Sequence, residues 1–433
     1  MLERIGVDSF EELLSGIPPA IPRARLKLPA GLSETELLKE AEQLAQPNAT
    51  VRSHTSFLGA GAYEHLIPSV VRYVAGRGEF LTAYTPYQPE ASQGTLQAMY
   101  EYQSLLCDLT GMEAANASLY DGASALAEAC VLALRLTQRA KLAVSAAVHP
   151  EYRETVGTYL KHSAGAVGLI PRRGGATDLE AARGLIDTQT AAVVAQMPNA
   201  FGCLEPVEEL AQRAHKAGAL FIVVVNPISL GLLAPPGAYG ADVVVGEGQP
   251  LGNELNFGGP YLGLFACREA LLRKIPGRIV GMTQDGHGRR GFVLTLQTRE
   301  QHIRRSKATS NICTNEAMMA LAACVYLAAL GKEGFKQAAR QNAQKAHYAH
   351  DRLIHLAGVK PLFSEPFFNE FALSLPEDPE LVNRKLLEEG FLGGLPLKRW
   401  DPALKAGWLV SVTESRTREE IDRFVETVWK LIR

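Results

Sequence analysis

The chain is poor in the residues that would tie it to a cross-linked or metal-held scaffold. Its six cysteines (Cys107, Cys130, Cys203, Cys267, Cys313 and Cys324) are scattered over 433 residues with no CxxC pair. That spacing argues against a disulfide framework or a zinc site and for buried thiols in a reducing compartment. Neither sign of charge is in excess: 44 Lys and Arg against 46 Asp and Glu leave a formal net charge of −2. A near-neutral chain has no general attraction to nucleic acid or an anionic membrane. No uninterrupted apolar run nears the ~18 residues of a membrane span. The first twenty residues lack the basic start and apolar core of a secretory signal. We therefore expect a cytoplasmic protein with no metal, nucleic-acid or membrane partner, and a length suited to two or three domains.

The most telling absence is local. Residues 241–266 read ADVVVGEGQPLGNELNFGGPYLGLFA: an apolar strand over 243–245, a loop of glycine and amides, and a second strand over 262–266. Strand, glycine loop, strand is how an α/β enzyme often presents a reactive group at the end of its sheet. Between Gly246 and Gly259, however, there is no lysine, histidine, cysteine, serine, threonine or aspartate. Among its ionisable side chains Glu247 is singled out. Either the loop is a simple turn, or the chain is the non-catalytic half of something larger.

Three regions are expected around this loop: an N-terminal arm over 1–55, a large α/β domain over 56–330 and a small α+β domain over 331–433. In the arm, Ser9 is placed to cap a helix over 10–17 that Pro18-Pro19 ends, a basic-apolar link follows over 23–28, and Ser33 with Glu36 forms a capping box. An arm without a core of its own is expected to pack across a partner subunit. In the large domain, strands are predicted over 142–148, 166–170, 191–196, 219–225, 242–245 and 262–266, with helices over 151–162, 178–186 and 206–217 between them. Continuous apolar strands such as FIVVV imply burial on both faces, hence a largely parallel sheet between helices. Function then sits at the strand C-terminal ends, which read Ala146–His149, Met197–Asn199, Asn226-Pro227 and the loop after Val245. Beyond Gly331 the period changes, with helices over 335–357, 378–389 and 417–432 and strands over 359–363, 370–374 and 407–413.

Several polar groups invite both a functional and a plain reading. Pro86 and Pro89 hold Tyr84, Tyr87 and Gln88 in an extended loop before a helix that starts at Ser92. This is a shaped polar surface or simply a rigid connector. Ser124, near the start of a helix from Ala123, suits a phosphate at a helix N-terminus, although many such helices bind nothing. Gly286, Gly288 and Gly291 mark a hairpin or a mobile loop. Thr309, Ser310, Asn311 and Thr314 are expected to cap a helix over 317–330, beside a basic run holding Arg299, His302, Arg304 and Arg305. Anion binding and an ordinary solvated surface fit that run equally.

The longer motifs are specific. FLGAGAYEHLIP (57–68), YTPYQPEASQG (84–94), CDLTGMEAANASLYDGASALAEA (107–129), NFGGPYLGLFA (256–266) and LQTREQHIRRSKATSNICT (296–314) together span nearly the whole chain. In these it resembles the glycine cleavage system P-protein family, and within it the N-terminal, or alpha, subunit. The resemblance implies an α/β fold of the fold-type I pyridoxal-phosphate (PLP) transferase kind. In the family's catalytic subunits the glycine loop carries a His-Lys pair whose lysine bears PLP. Here Gln249-Pro250 stand in that place, and a prolyl nitrogen cannot do so. The aspartate that pairs with the pyridine nitrogen falls at Asn226, and His149 lies near the ring-stacking histidine. The site is thus expected to be degenerate, with PLP held by a partner beta subunit in an α2β2 enzyme. That enzyme decarboxylates glycine and passes the aminomethyl group to lipoamide of the H-protein. The resemblance implies that Tyr84, Tyr87, Gln88, Ser92, Thr309, Ser310 and Asn311 help complete the partner's pocket. Arg299, His302, Arg304 and Arg305 are candidates for carboxylate binding or carrier docking. An independent PLP transferase using another lysine, or a purely structural assembly subunit, is the alternative.

Overall fold

In the first 49 residues the ends of the helices are secured locally, and little else is. In the computed structural model, which describes residues 1–18, 21, 27–163 and 165–433, Met1–Ala49 and Thr50–Arg433 are separate compact units. In the first, Ser33 and Glu36 close the expected capping box on α1 (Glu34–Ala45). Ser9 accepts from Glu12 N, but that helix covers only Phe10–Leu13. Ser15 and Gly16 are poor helix formers and turn the chain before the prolines do. Most of the basic-apolar link, at 23–26, lies outside the described residues. No described residue of this unit is buried, and Leu37, Leu38 and Leu44 of α1 stand more than half exposed.

The second unit is built on seven strands: β1 (Ala114–Ala115), β2 (Lys141–Ser145), β3 (Ala166–Ile170), β4 (Thr190–Met197), β5 (Leu220–Val225), β6 (Val243–Glu247) and β7 (Gly263–Cys267), in the order β1-β7-β6-β5-β4-β2-β3. From β3 to β6 neighbours run parallel. β7 turns back antiparallel on β6, and β1 pairs antiparallel with β7. Because successive side chains point to opposite faces, each buried strand feeds two cores. Val193, Phe221, Val223 and Val244 meet α2 (Gln93–Thr110), α5 (Val207–Lys216) and α6 (Ala317–Ile354) on one face. Val144, Val194, Ile222 and Val245 meet α3 (Gly122–Thr137) and α4 (Pro150–Leu160) on the other. That double burial is why FIVVV reads as an unbroken apolar run.

By length and composition α6 could cross a bilayer. Gly331, at φ 57° and ψ −176°, breaks it where the sequence period changes, and Ala323 and Tyr326 of its first half are core residues. The glycines at 286–291 turn a hairpin between β8 (Ile279–Gln284) and β9 (Arg290–Thr295). The C-terminal region has its own antiparallel sheet: β10 (Lys360–Pro361), β11 (Glu370–Ser374), β12 (Leu395–Pro396) and β13 (Gly407–Ser411), in the order β10-β11-β13-β12. The second half of α6, α7 (Pro379–Glu388) and α8 (Arg418–Leu431) pack around Trp408 and Phe424.

Candidate functional site

The ends of β2, β4, β5 and β6 converge as a parallel sheet requires, and what fills the space between them is the chain's own backbone. The segment 57–66 is pinned first to the C-terminal sheet. Phe57 is fully buried and stacks on Phe424 at 3.7 Å. Its N–H donates to Leu392 O at 2.8 Å, and its carbonyl accepts from Ser411 N at 3.0 Å. Ala60 N and Tyr63 OH donate to the buried Glu370 carboxylate at 2.6 and 2.7 Å. Gly59 is needed there: a Cβ would fall 2.3 Å from Glu370 Oε1 and 2.5 Å from Ser411 Cβ. Gly61 adopts φ +109°, a conformation that favours glycine.

The other side of the same segment plugs the strand ends. His149 Nε2 bonds Ala60 O at 3.0 Å, and its ring meets Trp400 edge-on. Burial lowers the His149 pKa and keeps the imidazole neutral. Gln249 clasps Tyr63 with both ends of its amide: Oε1 accepts from Tyr63 N, and Nε2 donates to Tyr63 O, both at 2.9 Å. The same Nε2 donates to Asn253 O. Pro250 is buried beside it. Asn226 accepts from Ile228 N at 3.1 Å and reaches Asn369 only at 3.5 Å.

The helix N-terminus that would receive a phosphate is taken twice over. Asp121 caps α3 through Ser124 N at 2.7 Å, and Ser124 reciprocates, so its hydroxyl is spent on the cap. Glu247 then brings in a second carboxylate. Its Oε2 accepts from Gly122 N at 3.0 Å, and its Oε1 accepts from Gln249 N and Leu262 N at 2.9 Å. Burial pushes Glu247 up to about 7 against the pull of those three N–H donors. A Cβ on Gly122 would lie 2.2 Å from Tyr152 OH, so the floor is closed as well. Buried His149 Nδ1 and Asn369 Nδ2 are left without partners. These residues do not suit PLP: carboxylates hold the N–H groups at the start of α3, the 57–66 backbone packs against His149 and Gln249, and the loop over 246–259 has no lysine. Sequence reasoning missed Tyr63, Glu370 and the bond from Gly122 to Glu247. The glycine pair in GAGAYEH was the available signal. The loop's other carboxylate, Glu254, is half-buried and pairs with Arg72.

The residues proposed to face a partner lie elsewhere. Tyr84, Tyr87 and Gln88 are exposed, and Ser92 holds the N-cap position of α2 without a side-chain bond. Tyr87 sits edge-on to His302 at 5.7 Å and has its hydroxyl 3.5 Å from Arg278. Thr309 and Ser310 share a pocket with Arg278, while Asn311 is exposed. Thr309, Ser310, Asn311 and Thr314 do not cap α6 as the sequence suggested. The helix begins at Ala317 without a side-chain cap from its own segment, and Ser118 Oγ accepts from Glu316 N at 3.1 Å instead. A tertiary contact has replaced the local one. The basic run also divides. Arg299 is turned inward onto the carbonyls of Ile275, Gly277 and Leu296, its pKa lowered by burial, and it is not free to meet a carrier. His302 faces Glu300 at 3.6 Å, Arg304 donates to Thr298 O, and Arg305 is exposed. Arg278 was not singled out, although a charge between a Pro-Gly turn and an apolar strand is an unusual placement.

The family model described as "Glycine cleavage system P-protein" matches residues 1–428. A relative from Desulfitobacterium hafniense, "Probable glycine dehydrogenase (decarboxylating) subunit 1", is 54% identical over 98% of this chain and 96% of its own. One of the same name from Moorella thermoacetica is 55% identical over 98% and 95%. Among solved structures, an inhibitor-bound glycine decarboxylase (P-protein) superposes with a TM-score of 0.92 at 47% identity, covering 100% of this chain and 97% of that one. A sphingosine-1-phosphate lyase from Burkholderia pseudomallei, at 16% identity and a TM-score of 0.66, covers 94% of this chain and 92% of its own. It shares the fold alone, the α/β architecture of fold-type I PLP enzymes that the sequence led us to expect. By sequence along almost its whole length, and by fold, the chain belongs to the glycine cleavage system P-protein family.

Proposed function

We propose that this chain is the subunit of a glycine decarboxylase that does not itself carry PLP, inactive alone and working against a partner beta subunit in an α2β2 enzyme. The observation that carries the reading is the strand-end site, sealed by Tyr63, Gln249 and Glu247 in a chain whose relatives are named as subunit 1. PLP involvement in the complex is supported by the fold and the family; its location on the partner is our reading. Bound there, PLP supplies the electron sink for loss of CO2 from glycine. This chain's part is to bind and orient. Tyr84, Tyr87, Gln88 and Ser92, with Thr309, Ser310 and Asn311, offer hydroxyl and amide donors along a wall of the partner's pocket. Arg304, Arg305 and His302 remain candidates for docking the lipoylated H-protein, whose lipoamide takes the aminomethyl group. The exposed leucines of α1 suit an arm that lies on a partner subunit.

The test is the absorbance spectrum of the chain purified alone and with its partner. Alone, it should gain no PLP chromophore and show no borohydride-stable label on a lysine; with the partner, glycine decarboxylation should appear. A chromophore anchored on one of this chain's own lysines would overturn the reading in favour of an independent transferase. Decarboxylation unchanged by Tyr87→Phe and Ser310→Ala in an intact complex would reduce the chain to a scaffold.

A further inference from the structure

The turn before β8 is gripped by both ends of the segment that follows the hairpin. Arg299, early in that segment, donates to the carbonyls of Ile275 and Gly277. Arg278, in the turn itself, donates to the segment's other end. Its Nη1 reaches Asn315 Oδ1 at 2.9 Å and Thr314 Oγ1 at 3.3 Å, and its Nη2 reaches Cys313 O at 2.8 Å. Two buried atoms are left over. Nε of Arg278, a residue only 5% exposed, has no acceptor, and Glu300 Oε1 has no donor. The other oxygen of Glu300 faces His302 at 3.6 Å, too far for a hydrogen bond. A buried polar atom left unpaired is costly, so each such atom calls for a partner.

Arg278 and Glu300 line one recess, together with the hydroxyl-bearing Thr309, and its volume is about 10 Å³. That is the space one water molecule needs, given polar partners to hold it. The charges on the lining narrow the occupant further. An anion would face the Glu300 carboxylate, and a metal cation would face the Arg278 guanidinium. A neutral molecule that both donates and accepts within so small a volume answers both.

We propose that the recess is a buried water site, in which one water accepts from Arg278 Nε–H and donates to Glu300 Oε1, with the Thr309 hydroxyl as its third partner. The water joins guanidinium and carboxylate as a bridged ion pair. It closes the clasp between the 275–278 turn and the 297–315 segment, which carries Thr309, Ser310 and Asn311. Glu300 is thereby a positioning residue, holding that strip through the water. The site lies wholly within this chain and does not depend on the partner-pocket reading.

The test joins a crystal structure of the full chain, at a resolution that shows ordered water, to hydrogen exchange read by mass spectrometry on wild-type, Glu300→Gln and Glu300→Leu. In the wild-type map a water peak should lie about 2.7–3.2 Å from both Arg278 Nε and Glu300 Oε1. Glu300→Gln keeps an acceptor and should keep the water, with exchange across 297–315 within about twofold of wild-type. Glu300→Leu should lose the water, and exchange across 297–315 should rise about tenfold while the seven-stranded sheet stays as protected as before. A recess without a water peak, or with Arg278 and Glu300 in direct contact, overturns the site. A water peak with exchange unmoved by Glu300→Leu overturns the clasp. Should Glu300→Leu fail to fold, Thr309→Val takes its place: faster exchange across 297–315 supports the clasp, and wild-type exchange overturns it.

Discussion

The strand-end site and the surface around Arg278 are both rich in polar groups, and they differ in where those groups find partners. At the strand ends, Glu247 accepts three backbone N–H bonds and Gln249 spends its amide on Tyr63 and Asn253, all within the chain. Around Arg278 a buried cation meets only neutral acceptors, and Tyr84, Tyr87 and Gln88 face solvent. A polar site that answers itself has no reason to bind anything. The strand ends are closed by the chain's own groups, while the polar side chains near Arg278 lie partly in solvent.

The sealed site should break most severely where it is tightest. Gly122→Val would drive carbon into Tyr152 OH and the Glu247 backbone, and we expect a loss of about 3 kcal/mol in urea unfolding of the full chain. An unchanged midpoint would mean the floor is open after all. Titration gives the next largest effect. Burial raises both Glu247 and Glu370 to about 7 from an ordinary value of 4.5. The folded state therefore binds more protons than the unfolded one between those values, so the stability these groups contribute is full below pH 4.5 and is lost as pH rises through 7. Glu370→Gln removes one such titration. Its deficit against wild-type should shrink by on the order of 2 kcal/mol between pH 5 and pH 8, and a difference flat in pH would contradict the burial argument. At the other region the effects are smaller. Tyr87→Phe in the assembled enzyme should lower kcat/KM by about threefold, for a hydroxyl set 3.5 Å from Arg278; no change would remove Tyr87 from the pocket. Smallest of all is Pro250→Lys in the isolated chain. With Glu247, Asp121 and Tyr63 still in place it should stay colourless with PLP, and a yellow adduct on that lysine would erase the contrast between the two regions.

What the sequence disclosed follows the range of the interactions. The sheet was legible because each strand is buried on both faces and says so residue by residue, as in FIVVV. The break at Gly331 and the capping box at Ser33 and Glu36 were legible because they are settled within a few residues. That the loop over 246–259 has no lysine was legible directly. How the strand ends are closed was not, since Gly122 meets Glu247 across 125 positions and Tyr63 meets Glu370 across 307. The cap of α6 failed for the same reason: Ser118, distant in sequence, does what Thr314 or Ser310 could have done nearby. Arg278 is a further case, for a charge shows in the sequence while the neutral acceptors that hold it, Asn315 and the Cys313 carbonyl, show only once the fold is in place.

The segment 57–66 has a consequence for assembly. Ala60 and Tyr63 are held from one side by His149 and Gln249 and from the other by Glu370, while Thr413 and Glu414 fix Glu64 and Leu66. Swinging the C-terminal sheet away from the strand ends would break these bonds together. A chain so cross-tied meets its partner with its shape already set, so association need not meet the entropic cost of ordering it. Binding free energy that a looser subunit would lose to folding up at the interface stays available for holding the complex together.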